Sequence, residues 1–146
     1  MIELCIVIAI ICTLAAIAIP NYLGYKYKAR VVVAISDIRM IEQQISFYEQ
    51  ENGGQLPNSF SDLTTIKNVK DPWGNPYKYL LVKGGTKSVK GQARKNMSVV
   101  PVNQNSYDLY SMGRDGKTNI SFLVPVSQDD IVRAYDGQYV GLVSEI

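Results

Sequence analysis

Histidine is absent from all 146 residues. With it go the commonest general base, the usual imidazole metal ligand and any haem-binding histidine. Serine–histidine–acid hydrolysis is excluded on the same ground. Cysteine is nearly absent, and the two present, Cys5 and Cys12, both lie near the start of the chain. On a straight helix they share a face with ~10 Å of rise between them, too far apart to bridge. They read as small buried apolar residues; an intermolecular disulfide in a polymer is one alternative and electron transfer through paired thiols another. With no cysteine after Cys12, an extracytoplasmic domain here must be held without disulfides. Charge is also missing where it would matter most, since Glu3 is the only ionisable side chain besides cysteine and tyrosine in residues 1–25. A net charge of +2 gives no footing for nucleic acid or for an acidic partner.

The segment MIELCIVIAIICTLAAIAIP is apolar apart from Glu3. At ~1.5 Å of rise per residue a helix of this length spans the ~30 Å hydrocarbon core of a bilayer. It is longer than the apolar core of a secretory signal peptide, although AAIAIP imitates a cleavage site. A carboxylate inside hydrocarbon is costly unless it is paired, so Glu3 is either a functional residue with a partner charge or a group held at the headgroup level. The positive end of a helix, or an α-amino group nearby, would favour its charge. The helical pattern runs on from Asn21 to Asn52, with Val31, Ala34, Ile38, Ile41, Ile45 and Tyr48 at steps of three and four. Pro20 is expected to kink or locally melt the rod, and Gly53 and Gly54 to stop it. A helix of this length cannot bury both halves against so small a domain. Its first half needs lipid or other copies of itself.

These residues carry a resemblance. MIELCIVIAIICTLAAIAIPNY is similar to the N-terminal segment of type IV pilins and type II secretion pseudopilins. In that family a single glutamate, the fifth residue after cleavage by a prepilin peptidase, neutralises the N-methylated amine of the adjacent subunit during filament assembly. Glu3 takes that position, which implies two further residues, a basic leader and a glycine ahead of Met1. Cys12 stands where the family usually has glycine. Lys26, Lys28 and Arg30 follow the apolar run, and by the positive-inside rule that flank would stay cytoplasmic. The resemblance implies the opposite, with the leader held inside and the domain facing out.

Beyond the helix, LPNSFSDL reads as a connector and short helix capped by Asn58 or Ser59. DPWGNPYKYLLV reads as a turn entering a strand, with Trp73 packed on the long helix. KGGTKSVKGQARKN, five basic residues among glycines, reads as a solvated mobile loop rather than a phosphate or nucleic-acid site. MSVVPV and YDLYSM add two strands. The expected fold is α+β: a long N-terminal helix on a three-stranded antiparallel sheet, with a loop-rich C-terminal region. Residues 1–25 form the membrane or filament-core half, and residues 26–146 the soluble domain.

DPWGNPYKYL, YDLYSMGRDG and SQDDI narrow the resemblance to the major pseudopilins of type II secretion systems. The likeness is weak over the basic loop and over Lys117–Val126, and the tail IVRAYDGQYVGLVSEI runs beyond the usual end. In that family the last loops bind calcium. The resemblance implies side-chain ligands at Asp115 and Asp129, a contribution from Asp130, and backbone carbonyls at Met112 and Ser127. A hard cation that takes six to eight oxygens suits such loops, and its binding energy would replace the missing disulfide. On the residues alone, Asp115 with Gly116 also reads as a plain turn and Asp129 as a helix cap. The loop is not an EF-hand, because Asp115, Lys117 and Asn119 lack its acidic pattern and terminal glutamate.

The expected function is therefore structural and non-enzymatic. The resemblance implies a homopolymer, a pseudopilus built from the inner membrane into the periplasm, which exports folded proteins across the outer membrane. Its implied partners are an assembly platform, an assembly ATPase, minor pseudopilins and the prepilin peptidase. Two alternatives stand: a type IV pilin for adhesion, motility or electron transfer, and an anchored periplasmic binding module that never polymerises. Tyr22, Tyr25 and Tyr27 suggest a conducting fibre but fit an aromatic belt at a membrane surface better.

Overall fold

The computed structural model describes residues 2–63, 66, 68–97 and 100–146. One helix, α1 (Ile2–Glu51), dominates it and runs for ~75 Å. The helix continues through Pro20, so the expected local melting does not occur. Gly53 and Gly54 end it, with φ of 66° and 86°. The Gly54 N–H reaches back to the Glu49 carbonyl at 2.8 Å, which satisfies one of the last carbonyls of the helix.

The sheet packs against the C-terminal half of α1. A 3₁₀ turn, Phe60–Asp62, follows Ser59, and its Asp62 carboxylate accepts the Asn58 N–H at 2.8 Å and the Ser59 N–H at 3.2 Å. Next come β1 (Lys78–Leu81), the short helix α2 (Lys87–Gln92), β2 (Tyr107–Ser111), β3 (Ile131–Ala134) and β4 (Tyr139–Leu142). The sheet is antiparallel with strands in sequence order.

Three sequence expectations are corrected here. The sheet has four strands, not three, because the C-terminal tail folds into the β3–β4 hairpin. Of MSVVPV, Ser98 and Val99 lie outside the described residues; Met97 and Val100–Val102 form no strand, and the Val102 N–H bonds back to the Arg94 carbonyl at 2.8 Å. The basic stretch, read as a solvated loop, holds α2 and, after it, Ala93 and Arg94, both buried.

The sheet is covered on both faces. On one, Val31, Ala34, Ile38, Ile41 and Ile45 of α1 pack on Tyr77, Tyr107, Leu109 and Ile131, with Tyr48 half-buried at the edge. These are the α1 positions that the spacing of three and four selects. Trp73 joins this core beside Tyr27, with ring centroids 6.1 Å apart. On the other face Phe122, Val132, Ala134 and Val143 form a second cluster. This explains why all four residues of β3 are buried, including Arg133. The apolar first part of α1, ahead of Leu23, packs on none of these described residues. Its apolar window is wholly uncovered, with Ile2, Leu14 and Ile17 at 74%, 64% and 68% exposure. Cys5 and Cys12 are likewise exposed, since no other element of the chain reaches them.

Candidate functional site

Two regions carry the chemistry singled out in the sequence: the uncovered rod and the loops beside β2 and β3. On the rod, Glu3 is exposed in the first turn of α1 and forms no ion pair among the described residues. Met1 and its α-amino group lie outside them. The positive end of the helix favours its charge.

In the loops, Asp129 and the turn after β2 are latched together. Asp129 Oδ2 accepts the Arg114 N–H at 2.8 Å and the Asp115 N–H at 3.1 Å. Asp115 Oδ1 accepts the Lys117 N–H at 2.8 Å. Gly113 makes the approach possible: its φ is +64°, and a Cβ there would collide with the Asp129 carbonyl. The latch has a third member, because Asn75 Nδ2 donates to the Gly113 carbonyl at 3.0 Å. Asn75 is itself fixed by Asp71, whose Oδ1 accepts the Trp73 and Asn75 N–H groups and whose Oδ2 accepts the Ser111 hydroxyl. DPWGN, SMGRDG and SQDD, far apart in sequence, thus form one structural knot.

Ser127 is buried, and its hydroxyl bridges the Asn119 N–H and carbonyl while its own carbonyl accepts the Asp130 N–H at 3.2 Å. Met112 is half-buried on the opposite loop. The donor set suits a hard cation: Asp115 is exposed, its backbone N–H bonds to the Asp129 carboxylate, and both side chains offer oxygens. Among the described residues no three acidic, histidine or cysteine side chains converge, so a cation here would draw the rest of its shell from main-chain carbonyls and water.

No family model matches the chain, and no solved structure matches it. Curated relatives do. "Type II secretion system core protein G" of Aeromonas hydrophila is 30% identical over 136 residues, which cover 80% of this chain and 82% of that one. The protein of the same name from Pseudomonas aeruginosa is 28% identical over 80% of this chain and 82% of its own length. The chain belongs to the family of type II secretion system core protein G. A further family member, from Vibrio cholerae, is 26% identical over 80% of each chain.

One ligand that the resemblance implied stands apart from the others in this family member. Asp130 is fully buried, and its Oδ2 pairs with the Arg94 guanidinium and accepts the Thr118 hydroxyl at 2.5 Å. Burial pushes its carboxyl up to about 6, while the bonds from Thr118 and Arg94 pull it back. Arg94 lies 4.3 Å over the Tyr110 ring and 5.2 Å from that of Phe122, and its N–H caps the buried Asp108 at 2.7 Å. Arg94 Nε and Asp130 Oδ1 each lack a hydrogen-bond partner among the described residues.

Sequence reasoning missed this Arg94–Asp130 pair and also the Arg133–Glu42 pair, at 2.7 Å, which ties β3 to α1. Nothing in local patterning distinguishes Arg94 from its exposed basic neighbours. The β3–β4 hairpin did have a signal in Asp136–Gly137 between apolar residues. There Tyr135 and Asp136 take φ of 55° and 54°, held by Asn103, Asn105 and Ser106 around Asp136.

Proposed function

We propose that this family member is a non-enzymatic subunit that polymerises through its N-terminal rods into the pseudopilus of a type II secretion system. The observation that carries the reading is the contrast between the two halves of α1. One half is built into a packed domain, and the other is wholly uncovered and apolar. Leaving such a surface in water would cost ~25 cal/mol per Å², so the rod must exchange lipid before assembly for other rods after it.

In this reading the subunit waits as a single-pass protein of the inner membrane with its domain in the periplasm. Glu3 pairs with the amino group of an incoming copy and sets its axial position, because a carboxylate in hydrocarbon gains far more from a partner than one in water does. A prepilin peptidase, an assembly platform with its ATPase, and minor pseudopilins complete the machinery. Asp115 and Asp129, with the carbonyls of Met112 and Ser127, would hold a calcium ion. That ion would supply positive charge between two loops that are otherwise latched only by hydrogen bonds. Asp130 supports these loops through Arg94 and is not needed as a ligand.

The test is to express the full chain with its assembly machinery and recover sheared fibres. Wild-type protein is expected in the fibre fraction, and Glu3→Ala to remain in the membrane at normal abundance. Equal recovery of the two proteins in fibres would contradict the role given to Glu3. Absence of the wild-type protein from the fibre fraction would contradict polymerisation.

A further inference from the structure

Where the uncovered part of α1 meets the domain, Leu23, Lys26, Tyr27 and Arg30 share one helix face by their spacing of three and four. Trp73 from the turn before β1 and Arg114 from the loop after β2 close over this face, leaving a cleft of about 220 Å³. Three cations thus surround an aromatic wall formed by Tyr27 and Trp73. None of the three forms an ion pair among the described residues. The acidic groups that Tyr27 senses are Asp129, one of whose carboxylate oxygens holds two N–H groups, and Glu145.

We infer that this cleft binds the phosphate headgroup of an anionic membrane lipid. The inference rests on the reading that the apolar half of α1 lies in a bilayer. Depth supports the assignment. Lys26 lies ~5 Å beyond Leu23 along the helix, within a headgroup layer that extends roughly 5–7 Å beyond the hydrocarbon; Arg30, ~10 Å beyond, sits just past that layer with a long side chain that helical geometry tilts back toward it. Tyr22 and Tyr25, at 64% and 72% exposure, mark the same interface. Charge supports it as well, since guanidinium groups grip phosphate oxygens in pairs, and clustered cations beside a membrane span favour anionic lipid. Solvated lysines just past a span would need no such convergence. Arg114, however, arrives from a distant loop whose backbone is fixed by Asp129. A lipid held here would seat the domain against the membrane in one orientation.

The experiment uses the full chain in phosphatidylcholine nanodiscs, with and without phosphatidylglycerol, and reads the emission of Trp73, the only tryptophan. A spectral shift is expected with phosphatidylglycerol. It should be lost in the Arg30→Gln/Arg114→Gln variant and kept in Lys28→Gln, whose side chain leaves α1 on another face. Inorganic phosphate added to phosphatidylcholine discs should not reproduce it. The site is overturned by the absence of any lipid-dependent shift, or by an equal loss in Lys28→Gln, which would mean diffuse surface charge. Reproduction by inorganic phosphate would assign the cleft to a soluble anion and also overturn it. Co-elution of each variant with the discs reports the membrane span independently. A chain that fails to enter them overturns the anchoring reading and this site with it.

Discussion

Arg94 shows how a single side chain can organise a face of the molecule. Its guanidinium lies between two aromatic rings, pairs with Asp130, and leaves its backbone N–H to cap Asp108. Burial raises both carboxyls, but the cation and its hydrogen bonds oppose the shift. Removing one partner alone strands a charge in a dry place, so Asp130→Ala is expected to cost about 3–5 kcal/mol. Replacing both with apolar residues of similar volume, as in Arg94→Met with Asp130→Leu, should be far milder. Urea unfolding of the two variants reads the difference, and an equally mild single variant would show that the pair contributes little. At this scale the sequence was only partly legible. Asp115 and Asp129 stand out because short motifs surround them, whereas Arg94 in KGGTKSVKGQARKN reads as one solvated cation among five. Its burial depends on an aspartate far along the chain, which no local pattern encodes.

Elements were easier to read where periodicity is strong. The α1 positions chosen by helical spacing are the ones that reach the sheet, and the glycine pair ends the helix as the left-handed conformation requires. The strand count was missed because β3 is covered on both faces, so Ile131, Val132, Arg133 and Ala134 show no alternation of apolar and polar residues. Pro20 was expected to kink or locally melt the helix; the melting does not occur, because the lost hydrogen bond leaves the turns on either side intact. The loops after β2 and before β3 have fewer apolar anchors than the strands, and their latch consists of hydrogen bonds to Asp129 and Asn75. A cation bound only by the native loops stabilises them by mass action, about 2.7 kcal/mol when calcium stands at roughly a hundred times its dissociation constant. Thermal unfolding of the full chain in detergent should therefore shift upward with calcium and downward with chelator, and Asp115→Ala should abolish the response. A melting curve indifferent to calcium would leave Asp115 as a turn residue and Asp129 as a latch.

At the scale of the whole molecule, the chain is a rod with a domain built onto one end. The domain is complete in its own right, with two packed faces and the Arg133–Glu42 pair fastening the sheet to the helix. The rod is not, and its unpaired apolar surface is a statement about neighbours. The sequence made this legible early, because a run of that length with one carboxylate has few physical uses. Fibre symmetry depends on contacts between copies, and a single chain does not specify them. The most direct measurement is helical reconstruction of purified fibres by electron microscopy. The rods are expected in the fibre core, packed on one another with water excluded from residues 2–23, and Glu3 within reach of the amino terminus of a neighbouring copy. Rods splayed outward, or a fibre held only by domain contacts, would contradict the account.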